Sequence, residues 1–172
     1  MIMRPGQQLL LPANPVFIWA SLVVALLLNM LPLGRIAWMP DLLMLLLVFW
    51  SVHQPLRVGI GAAFFFGVCM DVHQAALLGQ HALAYTALSF FAITIHRRLL
   101  WFSVPSQAFQ VLPLFAAAHA IELALRLIGG GIFPGPLLLL APLIEAVLWP
   151  VVSVILLAPQ RRAPDPDADR PL

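Results

Sequence analysis

Six apolar stretches, separated by short polar or Gly- and Pro-rich breaks, set the pattern of this 172-residue chain. Each is close to the ~20 residues that carry a helix across a bilayer. Helices are expected over about 15–33, 36–53, 57–72, 77–95, 107–128 and 137–158. The breaks are Pro32-Leu33-Gly34-Arg35, His53-Gln54-Pro55-Leu56-Arg57, Asp71-Val72-His73-Gln74, the basic stop His96-Arg97-Arg98 with Trp101 after it, and the glycine loop from Gly129 to Pro136. In the second stretch the apolar run 42–50 is too short to span alone, so the helix is expected to include Pro40 and Asp41. Pro suits a first helical turn, and an acid there complements the positive end of the macrodipole. Prolines inside the fifth and sixth stretches (Pro113, Pro142, Pro150) predict kinks. The expected organisation is one all-α transmembrane bundle, 1–158, followed by a polar, Pro-rich, disordered cytoplasmic tail, 159–172.

Composition supports this class and excludes others. Hydrophobic residues make up 62% of the chain and charged residues 9%, with mean hydropathy +0.99. A soluble domain carries about 25% charged residues, so a water-facing surface cannot be assembled here. Every basic side chain is Arg, and these are scattered through the loops without forming a nucleic-acid-binding face. The single cysteine, Cys69, excludes an internal disulfide. Arg4 and the apolar run from Val16 resemble a signal peptide, but Asn29-Met30-Leu31-Pro32-Leu33 follows instead of a small-residue cleavage site. The segment is expected to stay as the first membrane helix.

The Arg positions also predict orientation. With six spans, Arg4, Arg57, Arg97, Arg98, Arg161, Arg162 and Arg170 fall on one side, and Arg35 and Arg126 on the other. By the positive-inside rule both termini are cytoplasmic, and Asp41, Asp71 and the glycine loop face outward.

The few polar groups within apolar stretches are the candidate chemistry. Asp71 stands at the crest of a hairpin made by the third and fourth helices, and an ionisable group at membrane depth is a functional candidate. Gly59, Gly61, Ala62, Ala63 and Gly67 leave one side of the third helix nearly bare, which suits close helix packing. Asn29 lies near the far end of the first helix. His119, Glu122 and Arg126 share a face of the fifth, with Glu122 and Arg126 spaced for an intrahelical pair. Glu145 is a second buried acid, expected near backbone groups freed by Pro142. These acids are read either as transport or proton-relay groups, or as helix caps and packing partners.

No G-x-S-x-G, H-E-x-x-H, Walker or G-x-G-x-x-G motif occurs, so no catalytic residue or cofactor is expected. Asp71, His73 and His81 lack a recognised ligand spacing, so no metal is expected.

The order Pro40-Asp41, Gln54-Pro55-x-Arg57, Gly67-x-x-x-Asp71, Leu78-Gly79-Gln80-His81-Ala82 and His96-Arg97-Arg98 resembles the rod shape-determining protein MreD family. The resemblance implies a non-catalytic subunit of the bacterial inner membrane, in the elongation machinery that builds lateral peptidoglycan. Its implied partners are MreC, the actin-like MreB, RodA and a penicillin-binding synthase. It also implies a six-helix fold similar to the substrate-binding S-components of vitamin transporters. Under this reading Pro40, Asp41, Arg57, Gly67, Asp71, Gly79, Gln80, His81, Arg97, Arg98, Glu122, Arg126 and Glu145 are interaction or structural residues. The rival reading is a small-molecule binder of the S-component kind, using Asn29, Asp41, Asp71, Gln80 and His81 in an outward pocket.

Overall fold

A computed structural model describes residues 13–31 and 38–160. The expected turn at 32–35, Arg4, and the tail arginines Arg161, Arg162 and Arg170 lie outside the described residues. The described chain is all helical: α1 (Pro15–Asn29), α2 (Leu42–His53), α3 (Ile60–Gln74), α4 (Gln80–Leu99), α5 (Val104–Ile128) and α6 (Leu140–Leu157). Short 3-10 turns, Pro136–Leu139 and Ala158–Gln160, flank α6. Residues 159 and 160 belong to the second of these 3-10 turns.

Two segments, Val104–Ile128 and Pro136–Gln160, are long and apolar enough to cross a membrane. At 25 residues each they reach roughly 37 Å at 1.5 Å per residue, more than the ~30 Å hydrocarbon core. The helices α1, α2 and α3 are apolar but shorter. The remaining helix, α4, is as long as a span, but His96, Arg97 and Arg98 occupy its last turn. Those charges do not stop α4. It runs through them to Leu99, where cations complement the negative end of the macrodipole.

The centre of the bundle is α2, its shortest helix. Leu43, Met44, Leu45, Leu47, Val48, Phe49, Trp50, Ser51 and Val52 are all buried, so α2 is covered on every side, as a helix apolar all round must be. Aromatic side chains fasten its neighbours to it. Trp50 donates its indole N–H to Ser21 Oγ at 2.9 Å, and Phe17 meets the Trp50 ring edge-on at 6.0 Å. Phe49 lies 6.0 Å from Trp149 of α6, whose N–H donates to Gln107 Oε1 of α5 at 3.2 Å.

The exterior is apolar as well. Val23, Val24, Phe64, Phe65, Phe90, Phe91, Val147 and Val151 are exposed on α1, α3, α4 and α6. Such a surface suits lipid as its solvent.

Helix starts shift by a few residues from expectation, and two of the shifts have a clear local reason. Pro40 lies outside α2, and Asp41 is its N-cap, accepting from the Met44 N–H at 2.9 Å. The helix therefore begins at Leu42 and does not include the Pro-Asp pair. Pro142 falls in the first turn of α6, where no intrahelical bond requires its missing N–H. Only Pro113 and Pro150 lie inside helices.

Candidate functional site

The hairpin crest is built from the end of α3 and the start of α4. Gly67 is the point of closest approach. A Cβ built there would stand 2.4 Å from Ala82 Cα, 2.6 Å from Ala82 N and 2.8 Å from the His81 carbonyl carbon. Only glycine lets the two backbones meet this closely. One turn further along the same face, Asp71 reaches the uncovered N-terminus of α4. Its carboxylate accepts from the N–H groups of Gly79 (2.8 Å), His81 (2.7 Å) and Ala82 (3.3 Å). The His81 Nδ1–H donates to it as well, at 2.8 Å. Asp71 is 1% exposed. Its own carbonyl accepts from the Ala76 N–H at 3.0 Å, so one residue ends α3 and caps α4. Gly79 takes φ +103°, a left-handed turn that leads the chain into α4. The spacing Gly67-x-x-x-Asp71 followed by Gly79-Gln80-His81 is therefore a single packing device. Asp71 serves as a cap, and His73 points away from it into an exposed position.

A second polar constellation lies among α1, α2, α4, α5 and α6. Asn29, the last residue of α1, donates to the Asp41 carboxylate and accepts from the Leu42 N–H at 3.2 Å. Asp41 also accepts from the Tyr85 hydroxyl of α4. The Asp41 backbone N–H donates to Glu145 Oε1 of α6 at 2.9 Å. The same Glu145 oxygen accepts from His119 Nε2–H of α5 at 2.9 Å. On the other side of the imidazole, Nδ1 stands 3.6 Å from Glu122 Oε2. Tyr85 also joins the two constellations, since its ring meets that of His81, one turn earlier on α4, edge-on at 6.0 Å. Each of the six helices thus contributes to one polar core, and burial of its acids is offset by amide, phenol, imidazole and backbone donors.

Two expectations are corrected. Glu122 pairs with His119 across the helix face, and among the described residues no carboxylate lies within ion-pair distance of Arg126. The Glu145 carboxylate serves the Asp41 N–H and His119, not backbone freed by Pro142. Hydrogen bonds within the bundle engage Asn29, Asp41, Asp71 and His81, the groups expected in an outward pocket.

The remaining candidates are peripheral. Arg57 is exposed and donates to the Ala13 carbonyl at 2.7 Å, which ties the α2–α3 loop to the start of α1. Arg97 and Arg98 are exposed in the last turn of α4. Gln80 is buried at the first turn of α4 and lines a small polar cavity with Arg126. Tyr85 is the residue whose importance sequence reading understated. Its hydroxyl stands among many apolar neighbours in sequence, and only the fold shows that it meets Asp41.

Among the described residues Ser89 Oγ is buried without a hydrogen-bond partner. Among the described residues no group of three or more His, Cys, Asp or Glu side chains could hold a metal ion. The buried atoms Glu122 Oε1 and Glu145 Oε2 lack partners, and they flank His119 on opposite sides.

No solved structure matches the chain. The family model described as rod shape-determining protein MreD matches residues 12–158, which contain the hairpin device and the whole polar core, and the chain belongs to that family of membrane proteins that determine rod shape.

Proposed function

We propose that the protein is a non-catalytic scaffold of the bacterial inner membrane, which holds MreC within the cell-elongation machinery. Through MreC it supports MreB, RodA and a penicillin-binding synthase in lateral peptidoglycan synthesis. The observation that carries this reading is how the polar and apolar groups are deployed. The polar core holds the six helices together, and a broad concavity on the bundle is almost entirely apolar. That groove, about 350 Å³, runs between α1 and α6 over α2 and is lined by Phe17, Ala20, Val24, Leu28, Leu46 and Val152. Ser21 lies in it too, but its hydroxyl is already bonded to Ile18 O and Trp50. Without a hydrophobic drive in lipid, helices associate where small residues permit close contact, and Ala20 and Ala25 supply that floor. The occupant we assign is a membrane helix of MreC.

In this reading all six helices lie in the bilayer with both termini cytoplasmic, in keeping with Arg57, Arg97 and Arg98 at one end and Arg126 at the other. The three arginines then face anionic headgroups or cytoplasmic partners.

Ala20→Trp, at an exposed position, fills the groove without touching the core. MreC should be lost from detergent co-purification with this variant and retained with Val147→Trp, on an exposed face of α6. Equal recovery of MreC with both variants rejects the scaffold surface. A metabolite held through purification and identified by mass spectrometry would favour the small-molecule binder.

A further inference from the structure

The guanidinium of Arg126 has no carboxylate partner among the described residues, and the chain packs closely around the base of its side chain. It stands in the last turn of α5. The Arg126 carbonyl accepts from the Gly131 N–H at 2.8 Å, which folds the glycine loop back over the side chain. A Cβ at Gly131 would fall 2.7 Å from Arg126 Cγ, so glycine at 131 leaves room for the stem. Arg126 lines a cavity of about 180 Å³ with Gln74, Ala75, Leu77, Gln80 and Gly129. This is smaller than the ~300 Å³ at which small-molecule sites begin, but ample for one tetrahedral anion.

Its location matters as much as its lining. α5 is a candidate membrane span, and Arg126 sits two residues before its end at Ile128. The cavity is therefore at the depth where a span meets headgroups. A cation there, on the face opposite Arg57, Arg97 and Arg98, runs against the usual distribution of arginines in membrane proteins. A half-buried guanidinium without a counter-ion is costly unless an anion completes it, and its planar fork suits two oxygens of a phosphate.

We propose that the crest cavity binds a phosphate monoanion, donated by an anionic phospholipid headgroup or by free phosphate, through Arg126 with Gln80 beside it. This site is separate from the α1–α6 groove and does not depend on the scaffold reading.

The test is native mass spectrometry of the full chain in detergent, with added phosphatidylglycerol, phosphatidylcholine or inorganic phosphate. The wild-type chain should retain phosphatidylglycerol over phosphatidylcholine, and Arg126→Gln should lower that retention about tenfold, the effect of losing one bidentate charged contact. Gly131→Ala, which displaces the stem, should lower it in the same direction, while Arg57→Gln should leave it unchanged. Displacement of the lipid by millimolar phosphate identifies the free anion as ligand, and resistance to it identifies the headgroup. Equal retention by Arg126→Gln and the wild-type chain, or an equal loss with Arg57→Gln, overturns the proposal.

Discussion

Gly67→Ala should unfold the hairpin device, although alanine is the better helix former. The added Cβ meets Ala82 Cα at 2.4 Å, and all three of its nearest atoms are backbone, so no rotamer change relieves the clash. To reach an ordinary 3.4 Å contact, α4 must withdraw by about 1 Å. Overpacking of this kind costs about 1–3 kcal/mol. The same withdrawal stretches the Asp71 bonds to Gly79 and His81, now 2.8 and 2.7 Å, past the ~3.2 Å at which such bonds hold. Of these two bonds only that of the His81 N–H is fully buried, and leaving this donor unmade adds about 1–3 kcal/mol. Against this, Ala gains about 1 kcal/mol of helix propensity over Gly. The net loss is about 3 kcal/mol, which for a chain of this size lowers Tm by roughly 6–12 °C. Thermal unfolding in detergent, followed by tryptophan fluorescence, measures it. The reasoning also fixes a coupling. If the glycine acts through the Asp71 cap, Gly67→Ala should cost about 1–2 kcal/mol less in an Asp71→Ala background. A Tm within about 2 °C of wild type, or strict additivity in that cycle, would refute the account of the crest.

Ala75 takes φ +48° at the end of α3, a left-handed conformation that Gly adopts without strain. Ala75→Gly should therefore stabilise the protein by about 1 kcal/mol, seen as a higher Tm in the same assay. Tyr85→Phe removes the hydroxyl that Asp41 accepts from; a hydrogen bond to a charged group is worth about 1.5–3 kcal/mol, and a drop in Tm of a few degrees should follow. An unchanged Tm there would mean that water replaces the phenol. Reporter fusions at Arg98 and at Gly130 should report opposite sides of the membrane, and the same side for both would end the six-span reading.

Element existence was legible because hydrophobic stretches in a membrane chain are long and the breaks between them carry Gly, Pro and Arg. Boundaries were less so. Asp41 reads equally as a residue inside a helix or as its cap, and the choice turns on Asn29 and Glu145, which sequence spacing does not bring near it. Gly67 and Asp71 stood out in the sequence, and both lie at the hairpin contact. What pattern reading could not supply was long-range pairing. His119 and Glu145 are 26 residues apart, and Asp41 and Glu145 are 104 apart. The Glu122–Arg126 pair failed for the converse reason, since a favourable i,i+4 spacing is worth only about 0.2–0.5 kcal/mol. A competing imidazole on one side and a folded-back glycine loop on the other suffice to divert it. The central position of α2 was signalled by its unbroken apolar run, which a lipid-facing helix shows equally.

Glu145 belongs to α6, the sixth of the described helices in chain order, yet it accepts hydrogen bonds from the Asp41 backbone and the His119 ring. During synthesis, five helices wait with those donors unanswered until the sixth arrives. A nascent chain stalled before that residue would be loose at its centre, exposed to membrane quality control, and unable to present a finished surface to any companion.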